Sequence, residues 1–488
     1  MRLRSTLILL VVLLGLGGYM YWVELPKEKE EAQKKTLFQF KTDEVAEVSL
    51  VYQDHEIALK KQGDEWHMTK PLDVGADKVS VDNLVNAISE CEVKKELTDA
   101  SSDLSVYGLD KPFATVTVKL KDKQLPAVSI GKNTPVGFST YISRADDKKI
   151  LLAGSAFRSG MDKQAKDLRD KTILNFADAD VQKFELHGES KGLTLVRKDD
   201  AWTLEQPGPY PADAPTVRSF LSTLRSMRAV DFPNDNPTDL SKYGLDKPRL
   251  SIDLSLGKDN ASKKILIGGD NPEKKAEIYL QASGMPTVYA VSDWVMRDLN
   301  KDVTDFRDKT LLAFDKAKIS AVDAKFADAT QFKLVAGDKQ SWHVEGKEGP
   351  PNVNTITQWI GDLHDMKGFE IASDNPTGLE AYGLDQPYLS ATLTGDDGKA
   401  VGTILIGEHK NEQGSKDYFG MAAGGPTVFK VRDYLITRMK KQPQDFILAP
   451  TPTPGGATPT VAVGNPAAND AAGMGDEGEA DGDGDGDE

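Results

Sequence analysis

One six-residue phrase occurs three times: "YGLDKP" at 107–112, "YGLDKP" again at 243–248, and "YGLDQP" at 382–387. Its spacing constrains the chain more than any single residue does. Tyr107, Tyr243 and Tyr382 are 136 and 139 positions apart, and Trp66, Trp202 and Trp342 are 136 and 140 apart. Phe40, Phe176 and Phe314 follow with 136 and 138. Near-equal intervals of this size define domain-sized units at 36–171, 172–309 and 310–446, each long enough to own a core. A length of 488 residues independently suggests about three domains.

Within a unit, "VAEVSLVYQDHEIALKKQGDEWHMTKP" alternates apolar and polar positions and is broken at "DH" and "GD", which predicts consecutive hairpin strands. A helix follows. Val81, Leu84, Val85 and Ile88, then Val217, Phe220, Leu221 and Leu224, then Ile356, Trp359, Ile360 and Leu363 all keep the i, i+3, i+4, i+7 spacing of one apolar stripe. Asp77, Asp213 and Asn352 stand four residues earlier, where a side-chain oxygen can accept a free N–H of the first turn.

The repeated phrase itself reads as structural punctuation. Gly108, Gly244 and Gly383 suit the left-handed position that ends a short helix. Leu109, Leu245 and Leu384 then fall where a Schellman ending sets them against Leu104, Leu240 and Leu379. Pro112, Pro248 and Pro387 prevent the helix from resuming. Tyr107, Tyr243 and Tyr382 beside an Asp could instead form a site, but Lys111 becomes Gln386 without disturbing the rest of the phrase. The strands "ATVTVKL", "LSIDLSL" and "LSATLTG" come next, and "SIGKN", "LIGGD" and "LIGEH" are expected to end a further strand in a glycine turn. The fold class is α+β: three tandem repeats of an antiparallel-sheet-plus-helix domain.

Residues 5–23, "STLILLVVLLGLGGYMYWV", are uncharged over 19 positions, enough for a helix to cross a bilayer. Arg2 and Arg4 before it and Tyr19, Tyr21 and Trp22 at its end place the N-terminus in the cytoplasm. A cleaved signal peptide is the competing reading; in both cases the body is extracytoplasmic. The expectation is a transmembrane anchor within 1–23 and a charged spacer at 24–35. At the other end, 447–488 reads as a disordered acidic tail rich first in Pro, Thr and Gly. That tail holds nine of the acidic residues that give the chain its net charge of −16, leaving −7 elsewhere. No broad basic surface remains for nucleic acid.

Candidate chemistry is sparse. "GESKG" at 188–192 matches the nucleophile-elbow pattern, yet a strand rather than a helix follows, so Ser190 reads as a turn residue. Cys91, the sole cysteine, takes the place of Met227 and Met366 and so reads as a buried apolar position. His55, His67, His187, His343, His364 and His409 show no metal-ligand spacing. "DGDGDG" at 481–486 starts like a calcium loop without its closing Glu. Trp66, Trp202 and Trp342 each read as ending a strand and packing in the core, against the alternative of a binding stripe. No catalytic residue, cofactor or metal is expected.

"YGLD-x-P" behind a strand tryptophan and a capped helix, and ahead of "IG" strands, resembles the bacterial domain of unknown function 4340 family over 36–446, in three tandem copies. The resemblance implies an envelope protein, of a kind often encoded near gliding-motility-type ABC transport components, and it carries over no catalytic positions. The expectation is therefore a scaffold or interaction module at the bacterial inner membrane. It would be single-pass with the body in the periplasm or outside, and an envelope protein, as an ABC transporter component, would be its partner. The alternative is a binding module for peptidoglycan, glycan or a small ligand; an envelope hydrolase is disfavoured.

Overall fold

A computed structural model describes residues 36–147, 149–188, 191–257, 259, 261–337 and 341–448. The expected anchor and spacer, Ser190, and the tail beyond 448 lie outside the described residues. Among the described residues no helix is long and apolar enough to cross a membrane. The chain divides into two compact units, Met1–Asp308 with the first two copies and Lys309–Glu488 with the third.

The first copy contains β1 (Val45–Tyr52), β2 (Glu56–Gln62), β3 (Glu65–Lys70), β4 (Val74–Gly75), α1 (Lys78–Ser89), β5 (Val93–Glu96), β6 (Ala114–Leu120), β7 (Val128–Asn133), β8 (Ser139–Arg144) and β9 (Ile150–Gly154). They form one antiparallel sheet in the order β4-β3-β2-β1-β6-β7-β8-β9-β5. The helix α1 leaves one edge strand and returns to the opposite edge. Its stripe of Val81, Leu84, Val85 and Ile88 packs in one core with Val48 and Leu50 of β1 and Val116 and Val118 of β6. Each such side chain contributes about 2 kcal/mol on leaving water. The cap, in which Asp77 Oδ1 accepts from Ser80 N–H at 2.8 Å, adds about 1 kcal/mol. Burial of the stripe therefore holds the helix, and the cap sets where it starts.

The second copy repeats the nine-strand order around the helix Ala214–Ser226, capped by Asp213. The third has eight strands around Val353–His364, capped by Asn352. Its missing edge strand falls at Gly349 and Pro350, where Gly349 has φ of 117°, outside the extended region that a strand needs. The architecture is thus three antiparallel sheets with few helices.

Three expectations change. Trp66, Trp202 and Trp342 stand at the start of their strands rather than the end (Glu65–Lys70, Ala201–Gln206, Trp342–Val344). They pack against the cores as expected, and Trp66 Nε1–H donates to Asp82 Oδ1 at 3.0 Å. Ile447 and Leu448, assigned to the tail, pair with Pro351 and Pro350 and so belong to the third copy. The glycines of the "IG" phrases do not form turns: Gly131, Gly268 and Gly407 lie inside strands Val128–Asn133, Ala261–Asp270 and Ala400–Lys410.

Cys91 lies just past α1, 4% exposed, and burial pushes its thiol up to about 12. The thiolate is the nucleophile, so native protein at pH 8 is expected to leave a thiol reagent unconsumed and to take up one equivalent on unfolding. Stoichiometric labelling before unfolding would contradict the burial.

Candidate functional site

The repeated phrase is a corner docked on a strand. Gly108, Gly244 and Gly383 have φ of 67°, 64° and 63°. In the first copy Gly108 N–H donates to Ser105 O at 3.1 Å and Leu109 N–H to Leu104 O at 3.0 Å, the two bonds of a Schellman ending. The second copy pairs Gly244 with Ser241 and Leu245 with Leu240, and the third pairs Gly383 with Glu380 and Leu384 with Leu379. Leu240 and Leu379 are half-buried beside their leucine partners, whereas Leu104 is 43% exposed.

What the corner docks on explains the mid-strand glycines. A Cβ on Gly131 would stand 2.2 Å from Tyr107 O, on Gly268 2.2 Å from Tyr243 O, and on Gly407 2.1 Å from Tyr382 O. The corner backbone rests directly on the strand backbone, so neither surface tolerates a side chain at the contact. Tyr107 meets Tyr141, Tyr243 meets Tyr279, and Tyr382 meets Phe419 edge-on, with ring centroids 5.0, 5.0 and 5.2 Å apart. Leu109, Leu245 and Leu384 are buried beneath, and Pro112, Pro248 and Pro387 are half-buried on the way to the next strand. Asp110, Asp246 and Asp385 are exposed. Each corner docks on a strand of its own sheet.

A second set of polar groups lies where the first two copies meet. After the first sheet the chain returns to bridge Arg169 to Ala76, beside the start of α1. The Arg169 guanidinium, 8% exposed, donates to Asp235 Oδ1 at 2.7 Å and to Thr287 Oγ1 at 3.4 Å, and lies 3.9 Å over the Phe232 ring. Thr287 Oγ1–H donates to Asp235 Oδ1 at 3.2 Å. Asp231 takes Lys166 from the first copy at 3.5 Å and Lys274 from the second at 2.9 Å. Burial alone would raise its carboxyl; the two lysines and the Phe232 N–H outweigh burial and hold it below the usual carboxylate range.

Around this joint is a cleft of about 540 Å3, lined among others by His67, Asp73, Asn236, Met285 and Tyr289. Its cation is already matched by a carboxylate and its best aromatic face is covered by that cation, so the arrangement fastens two domains. Among the described residues no group of three or more His, Cys, Asp or Glu side chains is placed to hold a metal ion.

The phrases that carry these residues occur twice, one time fewer than the copies, so three-fold recurrence does not mark them. "RDKT" stands at 169–172 and 307–310, where the third copy has Ile447 in place of the arginine. "DNPT" stands at 235–238 and 374–377, and the longer "G-x-P-T-V" at 284–288 and 424–428. In the third copy Thr427 Oγ1–H donates to Asp374 Oδ1 at 2.9 Å, as Thr287 does to Asp235. In the first copy Lys149 takes the threonine's place and pairs with Glu96. Arg307 is buried with its guanidinium 3.7 Å over Tyr210.

The sequence model of the family described as "Domain of unknown function (DUF4340)" matches residues 66–207, 202–354 and 342–448, each match beginning at one of the three repeated tryptophans. The chain belongs to the DUF4340 family. Three tandem DUF4340 matches correspond to the three copies read from the tyrosine and tryptophan spacing. No curated protein matches the chain. In this DUF4340 chain the recurring residues are accounted for by backbone docking, and the twice-occurring ones, at the first junction, by domain fastening.

Proposed function

We propose that this chain is a membrane-anchored, extracytoplasmic scaffold or interaction module of the bacterial cell envelope, working beside an ABC-type transport component. The observation that carries the reading is the use made of the recurring polar and glycine positions. They hold corner to strand within each copy, and Arg169 with Asp235 holds the first copy to the second. Side chains used in this way fasten the first two copies together and leave their outer surfaces for partners. The uncharged run at 5–23 and the charged spacer at 24–35 supply the tether.

Two measurements test it. Membranes from cells making the full chain are washed with alkaline carbonate, and the chain is expected to stay until detergent is added; release by carbonate would remove the tether. Crosslinking in intact cells followed by purification is expected to recover a transporter subunit, and recovery of the chain by itself would remove the partner. A ligand-binding role has weaker support: Trp66 and Trp342 are buried and the Phe232 face is covered by Arg169. Muropeptides are therefore expected to leave the melting temperature unchanged.

A further inference from the structure

The hairpin joining β7 to β8 differs in kind from its two counterparts. Residues 133–143 of the first copy carry no charged side chain, whereas the second has Asp270, Glu273, Lys274, Lys275 and Glu277, and the third has Lys410, Glu412, Lys416 and Asp417. In place of charges, Val136 and Phe138 project from the tip, each 86% exposed, the most exposed large apolar side chains among the described residues. The display is held in place. Phe138 has φ of 47°, a conformation costly for a bulky residue. Its carbonyl accepts from Ser155 N–H at 3.0 Å and from Lys94 Nζ at 3.3 Å.

The pairing register says which way this tip faces. Thr36, where the described chain begins, bridges Glu92. The next residue, Val93, pairs with Ala153 of β9, which pairs with Thr140 of β8. The point where the chain arrives from the spacer and the base of the hairpin therefore lie on one row at one end of the sheet, a few strand spacings of about 5 Å apart. Twelve spacer residues reach at most about 40 Å, so a bilayer holding 5–23 is close to that end.

We infer that Val136 and Phe138 dip into the lipid interface beside the anchor and orient the first copy on the membrane. The inference rests on the anchored reading above. Lipid suits the tip better than a protein partner does. Two side chains fall far short of the roughly 800 Å2 per partner of a stable protein interface, whereas weak interfacial insertion suffices for a chain already tethered at high effective concentration.

The test uses the full chain in vesicles of phosphatidylethanolamine and phosphatidylglycerol. Phe138→Cys carries an environment-sensitive NBD dye, Cys91 being shielded by burial, and Lys275→Cys on the second copy's hairpin serves as comparison. Dye at 138 is expected to brighten about fivefold with vesicles and to be quenched by headgroup-level spin-labelled lipid; dye at 275 should do neither. Val136→Asp in the chain labelled at 138 should roughly halve the quenching. A dye at 138 that stays in water while the chain floats with the vesicles overturns the inference and leaves the anchored reading intact. Brightening without lipid quenching means a protein contact and overturns it as well. A chain that fails to float removes the anchored reading, and this inference with it.

Discussion

Gly268→Ala is expected to destabilise the second copy by about 2–3 kcal/mol, a fall in melting temperature of roughly 10 °C. Elementary propensity predicts the opposite. Replacing a strand glycine normally stabilises by about 0.4–1 kcal/mol, because the unfolded chain loses freedom. At this position the new Cβ would stand 2.2 Å from Tyr243 O and 3.1 Å from the Leu245 side chain. Either the corner lifts off the strand, exposing Leu245 and parting Tyr243 from Tyr279, or the strand bends. Gly361→Ala is the control: that glycine lies inside Val353–His364 with nothing within 4 Å of a new Cβ. It should gain about 1 kcal/mol from helix propensity. Calorimetry of both variants checks the pair, and a neutral Gly268→Ala would show that the corner is not seated as described.

Arg169→Ala should cost about 2–3 kcal/mol and separate the unfolding of the first two copies. Removing one partner of a buried ion pair typically costs 3–5 kcal/mol. Asp235 keeps 28% of its side chain in contact with solvent, so water takes over part of the lost interaction and the lower figure applies. Loss of the guanidinium from the Phe232 face adds up to about 1 kcal/mol. Arg169→Lys keeps the charge without the planar fork and should fall between the two. The expected readout is a single urea transition of the first unit becoming two. If Arg169→Ala unfolds within 0.5 kcal/mol of the parent, about the scatter of neutral surface changes, in one step, the clasp does not couple the domains.

Much of the single-copy architecture was legible because its determinants are local. The stripe from Val81 to Ile88 and its cap at Asp77 lie within twelve residues of each other, and the hydrogen bonds of the YGLD corner span five. A periodic pattern read along the chain captures interactions of that reach. Gly131 was misread for the converse reason. A glycine after an isoleucine is a turn signal by propensity, and what requires it is the Tyr107 carbonyl of a corner more than twenty residues earlier. Arg169 and Thr287 were missed because they meet across 118 residues and belong to a junction, so they recur once fewer than the copies do.

The amino-acid order by itself determined that there are three copies, where each helix starts, and where each corner bends, since these follow from periodicity and from backbone conformations that few residues accept. Tertiary structure decided what the corners rest on, which cation fastens the first copy to the second, and which hairpin displays bare apolar side chains at the end where the chain enters. Those outcomes depend on groups that meet only after strands far apart in the chain have paired, and no local pattern encodes the meeting.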